Sequence, residues 1–520
     1  MLFRKKYTND WIAILDFGSQ YTQLIARRIR ELNIYSEIFP YNIDFLELEK
    51  NNPKGIILSG GPDSVVNKKA PNIEQKIFSL NVPILGICYG MQLLVKMMGG
   101  KVSKSKNSEY GNTLISILSK GESSIFYNLP DKINTWMSHN DIIKTIPSEF
   151  KISAISQSNN IAALHAEKKK LYGVQFHPEV THTEYGNDII YNFTRRICHC
   201  SPEWTNDAFI EDTIHNIKQE VGDGNVVAGV SGGIDSLVAA LLTYKAIGNQ
   251  LHCIFINTGL MRKNEEEEIK QVFKENIKIN LNIYDYAQSF IKSLNGIVDP
   301  EEKRRTIGNL FIKIFEEKAK KIGKVTHLLQ GTLYPDVIES SPILGPSVKI
   351  KSHHNVGGLP ENMDLKLLEP LRNLFKDEVR RIGKILGIPE KIIWRQPFPG
   401  PGLAIRVIGE VNYEKLSILR EADYIIRKEI HKEGWHKKLW QYFGILLPVK
   451  SVGVMGDLRT YEYTVVLRIV SSNDGMTADW AEIPYELLAK ISSKIINQVH
   501  GINRVLFDIS SKPPATIEWE

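Results

Sequence analysis

The chain has 520 residues, more than one hydrophobic core can organise, so two to four domains are expected. Its composition, 42% hydrophobic and 24% charged, is that of an ordinary globular protein, and a net charge of +6 is too small to argue for a nucleic-acid partner. Four cysteines make no disulfide framework, residues 1–10 lack the apolar stretch of a secretion signal, and no apolar run approaches a membrane span. The expectation is a soluble, cytoplasmic chain with neither nucleic acid nor membrane as partner.

Residues 1–202 alternate short β-branched runs with helical patterns. Strands are expected at Trp11–Asp16, Gly55–Ser59, Val82–Ile87 and Leu171–Gln175, with helices such as Tyr21–Glu31 between them. That alternation predicts an α/β unit built on a mostly parallel sheet. Chemistry gathers at the strand ends. Gly86-Ile87-Cys88-Tyr89-Gly90 stands between a strand and the helical run Met91–Met98, the setting of a nucleophile elbow. The opening of a helix also favours the reactive thiolate over the thiol. Gln175-Phe176-His177-Pro178-Glu179 closes another strand, and alternate residues of an extended segment share a face. His177 is then the base for Cys88, and Glu179 orients the imidazole. Leu58-Ser59-Gly60-Gly61-Pro62 follows a third strand, so the backbone N–H of Gly61 can stabilise an oxyanion together with that of Tyr89. Cys198-His199-Cys200 has no second pair at ligand spacing and is read as structural, as is Cys253 in its apolar run.

Residues 203–395 repeat the α/β style, with strands at Asn225–Val230, His252–Asn257 and His327–Gln330. Between the first of these and the helical run Leu237–Ala246 lies Ser231-Gly232-Gly233-Ile234-Asp235-Ser236. Glycines without Cβ let backbone N–H groups close around phosphate oxygens, and the helix opening presents its positive end. Ser231 and Ser236 add hydroxyls, and Asp235 is the candidate ligand for a magnesium ion bridging the phosphates. No Gly-Lys-Ser/Thr follows, so this is not a Walker A loop. Asp336 and Glu339 are either further magnesium ligands or surface acids. Glu265–Glu268 reads as a solvated helix start, and the basic, glycine-rich Lys349–Pro360 as either a lid over phosphates or a solvent loop.

Gln396-Pro397-Phe398-Pro399-Gly400-Pro401-Gly402 is the strongest break in the sequence. Beyond it, residues 396–520 predict a smaller α+β domain, with a helix at Tyr413–Lys432 and strands at Val449–Met455, Thr464–Ser471 and Arg504–Ile509. The tail Ser510–Glu520 shows no packing pattern. Its prolines suggest an extended segment that presents Lys512 and Glu518 at set positions.

These motifs carry family resemblances. Ser231–Leu237 resembles the pyrophosphate-binding loop of the ATP pyrophosphatases, which implies ATP contacts from Ser231, Gly232, Gly233, Ile234, Asp235, Ser236 and Leu237. G-I-C-Y-G-M-Q, L-S-G-G-P and Q-F-H-P-E resemble the class I glutamine amidotransferases, implying a Cys88–His177–Glu179 triad that hydrolyses glutamine to glutamate and ammonia. Essentially the whole chain, including Q-G-T-L-Y-P-D-V-I-E-S, H-H-N-V-G-G-L-P, R-Q-P-F-P-G-P-G-L-A-I-R and K-P-P-A-T-I-E-W-E, is similar to the glutamine-hydrolysing GMP synthetase family. The resemblance implies three parts in order: glutaminase, ATP pyrophosphatase and a C-terminal dimerisation domain, hence a homodimer. It implies that xanthosine 5′-monophosphate (XMP), ATP, glutamine and water give GMP, AMP, pyrophosphate and glutamate, with magnesium and no prosthetic group. By motif, Arg304, Asp457, Lys512 and Glu518 contact XMP. Ile234 stands where valine is commoner and Leu237 where a small residue is frequent, and neither removes a polar group. Three rivals are a different adenylating amidotransferase, a nucleotide sensor and a tRNA-modifying enzyme. The tail, the intact Cys88, His177 and Asp235, and the weak charge speak against them in turn.

Overall fold

A computed structural model describes residues 10–277, 279–340, 365–472 and 478–520, and the chain divides into two compact units at Asp212/Thr213. The candidate lid at Lys349–Pro360 lies outside the described residues.

The first unit is built on a nine-stranded sheet. Its strands are β1 (Trp11–Asp16), β2 (Tyr35–Pro40), β3 (Gly55–Leu58), β4 (Ile84–Ile87), β5 (Lys101–Ile117), β6 (Lys132–Thr145), β7 (Lys151–Ser156), β8 (Ile161–Ala166) and β9 (Leu171–Val174). The order is β2-β1-β3-β4-β9-β8-β7-β5-β6. The first five strands in that order run parallel, and β8, β7, β5 and β6 join antiparallel. The sheet is therefore less uniformly parallel than the sequence predicts. β1, β3, β4 and β9 are buried along their whole length, as strands covered on both faces must be, and they are legible as apolar runs. β6 instead alternates exposed and buried residues, and the polar run of β5 offers no apolar block to notice. Helices α1 (Thr22–Glu31) and α2 (Tyr89–Met97) follow β1 and β4.

The second unit holds two sheets. β10 (Asn225–Gly229), β11 (Leu251–Asn257), β12 (Leu281–Asp285), β13 (Val325–Leu329) and β14 (Lys366–Leu368) form an all-parallel sheet in the order β12-β11-β10-β13-β14. Its helices include α3 (Ile234–Ile247), α4 (Glu265–Val272), α5 (Pro300–Ile322) and α6 (Lys376–Ile385). The second sheet pairs the long antiparallel hairpin β15 (Gln441–Met455) and β16 (Leu458–Ser471) with β17 (Asp479–Trp480) and β18 (Ile502–Asp508). Helices α7 (Tyr413–Lys432) and α8 (Tyr485–Gln498) accompany it.

One hydrophobic core runs through both parts of this unit, from Val227 and Ile254 to Leu403, Leu419, Val465 and Ile491. The proline-rich break does not interrupt that core. Gln396 acts as a clamp across it, donating from Nε2 to Tyr442 O at 2.9 Å and accepting from Tyr442 N at 2.8 Å. The acidic run Glu265–Glu268 does open a helix, but Glu265 is buried rather than solvated, paired with Arg262 at 2.8 Å and Arg395 at 2.6 Å. Among the described residues no helix is long and apolar enough to cross a membrane.

The tail differs most from expectation. Residues 510–520 turn at Pro513–Pro514 and pack against the domain. Three buried cations hold them. Arg468 donates to the carbonyls of Ser510 (2.7 Å) and Thr516 (3.0 Å), Arg406 grips Glu518 with Nε at 3.0 Å and Nη2 at 2.7 Å, and Lys303 pairs with Glu520. A buried charge must find a partner, and here the partners all come from one short segment.

Candidate active sites

In the first unit, Cys88 sits between β4 and α2 with φ 51° and ψ −105°. Such backbone costs a non-glycine residue on the order of 1–3 kcal/mol and persists only where its surroundings impose it. Here they do. Cys88 N donates to Val174 O at 2.8 Å, which ties the elbow to β9. A Cβ at Gly86 would come within 2.5 Å of Gly90, and one at Gly90 within 2.3 Å of Leu58 O, so both flanking glycines are required sterically.

His177 and Glu179 are both buried, and His177 Nδ1 donates to Glu179 Oε1 at 2.8 Å. With Nδ1 so engaged, Nε2 is the nitrogen left for the thiol. Burial opposes a charged imidazole, but the Glu179 carboxylate and hydrogen bonding with Cys88 outweigh it and hold His177 well above its usual range. The thiol also has Ser138 O and Gln175 Nε2 each at 3.6 Å. Gly60 closes the group, since a Cβ there would lie 3.1 Å from His177 Cε1 and 3.7 Å from Cys88 Cβ. Gly61 packs instead on Phe17, and Tyr89 opens α2 directly after the thiol.

The raised His177 makes a pH prediction. Stability from its pairing with Glu179 is full below the unfolded histidine value of about 6.5, and is lost as pH rises through the higher folded value. In thermal melts, the deficit of Glu179→Gln relative to the unaltered chain should therefore be largest below about pH 6.5 and narrow at alkaline pH. A deficit independent of pH would show that the pair carries no linked proton.

In the second unit, the loop after β10 has Gly232 at φ +72° and leads into α3 with no side-chain cap on its first N–H groups. Those amides are free for an anion. Ser236 Oγ lies 2.9 Å from Gly233 O and 3.5 Å from Ser231 Oγ, which draws the two hydroxyls onto one side of the loop. Asp235 Oδ2 pairs with Lys376 Nζ at 2.5 Å. Its other oxygen is buried without a hydrogen bond, which suits a cation. No cluster of three or more metal-ligating side chains exists among the described residues. A single carboxylate nevertheless fits magnesium, which is commonly held by one or two carboxylates plus substrate phosphates. Asp336 is committed to Leu333 N at 2.9 Å, and the side chain of Glu339 lies outside the described residues.

Of the four residues assigned to XMP by resemblance, three lie in or against the tail. Arg304, on α5, donates from Nη2 to Glu520 O at 2.6 Å, and Glu518 is held by Arg406. Lys512 makes a backbone bridge with Ala478. Asp457 stands at the exposed β15–β16 turn with φ 60°, joined to that cluster by no hydrogen bond among the described residues.

Sequence reasoning missed Lys376, 141 residues beyond its partner Asp235, and nothing local marks it. It quoted Gln175 without assigning it a contact to the thiol, although adjacency to Phe176-His177 was a usable signal. Cys253 is buried in β11 with its thiol pushed up to about 12 by burial, the behaviour of a packing residue.

Comparison with known proteins gives the family of each part. The sequence model of the family described as "Glutamine amidotransferase class-I" matches residues 13–197, that of "NAD synthase" residues 207–325, and that of "GMP synthase C terminal domain" residues 428–519. Curated relatives named "GMP synthase [glutamine-hydrolyzing]" align along nearly the whole chain. Those of Maridesulfovibrio salexigens and Aquifex aeolicus are each 54% identical, and that of Caldanaerobacter subterraneus is 55% identical. Each alignment spans 98% of this chain and 99% of the relative. The chain belongs to the glutamine-hydrolysing GMP synthase family. Within that family's length, the amidotransferase match encloses Cys88, His177 and Glu179, and the NAD synthase match encloses the Ser231–Leu237 loop and Arg304. The GMP synthase C-terminal match covers Asp457, Lys512 and Glu518.

Proposed function

We propose that this chain makes GMP from XMP, using ammonia that it releases from glutamine and ATP that it cleaves to AMP and pyrophosphate. The observation that carries the reading is the presence on one chain of a strained, histidine-backed thiol and an uncapped phosphate loop, within a full-length family match. It is a ligase that forms a carbon–nitrogen bond.

In the glutaminase, His177 takes the Cys88 proton through Nε2, and the thiolate attacks the glutamine side-chain amide. The oxyanion forms against the amides of Gly61 and Tyr89, with Gly60 packed beside the thiol. His177 then protonates the departing ammonia and activates the water that frees glutamate, while Glu179 keeps Nδ1–H oriented throughout. In the synthetase, the amides and hydroxyls of Ser231–Leu237 hold the ATP phosphates, with Lys376 beside Asp235 adding positive charge. When bound, magnesium at Asp235 would neutralise charge on the phosphates. The XMP C2 oxygen attacks the α-phosphorus and expels pyrophosphate, and ammonia then displaces AMP from C2. Arg304, Asp457, Lys512 and Glu518 are assigned to XMP. Glu518 meets it from a carboxylate already fixed by Arg406.

The functional division runs 1–202 for the glutaminase, 203–395 for the ATP pyrophosphatase and 396–520 for dimerisation and acceptor binding. We infer a cytoplasmic homodimer joined through residues 396–520. Exposed Val449, Val454, Leu458 and Tyr461 on the β15–β16 hairpin support that face.

Product analysis tests the reading. With XMP, magnesium–ATP and either glutamine or ammonium, GMP should form with equal amounts of AMP and pyrophosphate. A folded chain giving no GMP from either nitrogen source would refute it. Asp235→Asn should lower both routes together by on the order of 10²-fold or more, because it weakens charge stabilisation at the phosphates. Unchanged ammonium-driven turnover would remove Asp235 from the site.

A further inference from the structure

Beside the thiol runs β6, which the triad does not include. Ser138 O touches Cys88 Sγ, and Trp136 O accepts from His177 N at 3.0 Å, so one strand borders both reacting residues. Its position against β5 is set by a buried cross-strand pair, Glu109 opposite His139. His139 Nδ1 lies 3.0 Å from Asp141 O, a pure acceptor, so Nδ1 carries a hydrogen. His139 Nε2 lies 3.2 Å from Glu109 Oε2. Both atoms are buried and neither is in an aligned hydrogen bond, so attraction between them requires a proton in that gap. Ser156 Oγ donates to the other Glu109 oxygen at 2.7 Å and fixes the carboxylate from β7.

The same Asp141 carbonyl accepts from Gln92 Nε2 at 3.2 Å, and Gln92 Nε2 lies 3.2 Å from Gln175 Oε1. Gln175 Nε2 in turn reaches Cys88 Sγ at 3.6 Å. The contacts thus run without a break from Glu109 through His139, the Asp141 carbonyl, Gln92 and Gln175 to the thiol. We propose that Glu109 and His139 are a positioning pair for the glutaminase, sharing one proton to hold Ser138–Asp141 as the wall against which glutamine binds. This rests on the glutaminase reading above. The pair touches no reacting atom. The elbow is set by β4, α2 and β9, and the β6 contact to His177 comes from Trp136, outside Ser138–Asp141, so the pair governs how well glutamine is held more than how reactive the thiol is.

The test compares Glu109→Leu with Glu109→Gln, measuring glutamine-driven and ammonium-driven GMP formation together with iodoacetamide labelling of Cys88. Glutamine at 109 can donate its amide hydrogen to the His139 lone pair and still accept from Ser156, whereas leucine can do neither. Glu109→Leu should raise KM for glutamine at least tenfold, with labelling and ammonium-driven turnover near those of the unaltered chain. Glu109→Gln should stay within about threefold. An unchanged KM in Glu109→Leu, or a Glu109→Gln as impaired as Glu109→Leu, overturns the proposal. Should Glu109→Leu fail to fold, Ser156→Ala decides. A KM raised by more than about threefold supports the pair, and a KM within about threefold of the unaltered chain overturns it. If the unaltered chain makes GMP from ammonium but never from glutamine, the glutaminase reading falls, and this inference with it.

Discussion

Cys88→Ala should abolish glutamine-driven GMP formation and leave ammonium-driven formation at the unaltered rate. In the proposed glutaminase the thiol is the group that bonds to the glutamine carbonyl carbon, and among the described residues the groups that touch it offer no second nucleophile. Ser138 presents only its carbonyl to the thiol, and Gln175 only its amide. Loss of a nucleophile that acts as a unit with its base costs on the order of 10⁴–10⁶-fold in turnover. The phosphate loop and Lys376 belong to the other compact unit and keep their own hydrogen bonds and ion pair in the variant. Parallel assays with each nitrogen source would show the split. Loss of both routes in a folded variant would overturn the two-site reading.

Removing residues 510–520 should cost more than acceptor binding: the second unit should lose its cooperative thermal transition. The removed segment partners three cations that are buried almost completely, Lys303, Arg406 and Arg468. Breaking a buried pair by deleting one member costs about 3–5 kcal/mol, because the other charge is left uncompensated. Whole-domain stability is typically about 5–15 kcal/mol, so one full loss at Arg406 with partial losses at the other two cations takes a large share of it. Asp508 remains within 3.4 Å of Arg468, and the carbonyls of Ala404 and Val407 remain near Lys303, so the loss is partial at those two cations. Among the described residues, Arg406 keeps the faces of Phe443 and Phe398 and no carboxylate. Thermal melts followed by circular dichroism, with Lys512→Met as control, separate the two roles. The control leaves the partners of Arg406, Arg468 and Lys303 in place, so it should lose far less of the melt than the truncation while using XMP poorly. A truncated chain that melts within a few degrees of the unaltered one would show that the tail serves the acceptor alone.

Both results turn on how far apart in sequence the interacting groups lie. The elbow is legible because its requirements are local: two glycines, a strand before and a helix after, all within Ile84–Met97. The phosphate loop is legible for the same reason, and α7 (Tyr413–Lys432) has the bounds that its periodicity predicts. His177 and Glu179 are two residues apart, so their proximity was legible, but they lie past the end of β9 with Pro178 and Glu179 in a turn, and that turn rather than the period of an extended chain brings Nδ1 to Oε1. The polar strands β5 and β6 were hidden because their pairing, not an apolar run, makes them strands.

By itself, then, the sequence determined the strand-end motifs on which the proposed chemistry rests, the α/β fold class and the membership of a family. The tertiary structure alone decided that Glu265 is buried between Arg262 and Arg395, that Lys376 faces Asp235, and that the tail is a clasp on Lys303, Arg406 and Arg468. The physical reason is the range of the forces that select each feature. Backbone sterics and hydrophobic period act within a few residues and leave a pattern in the sequence. A buried charge chooses its partner by burial and proximity in the folded chain, and a lysine that will be desolvated is written with the same letter as one that stays in water.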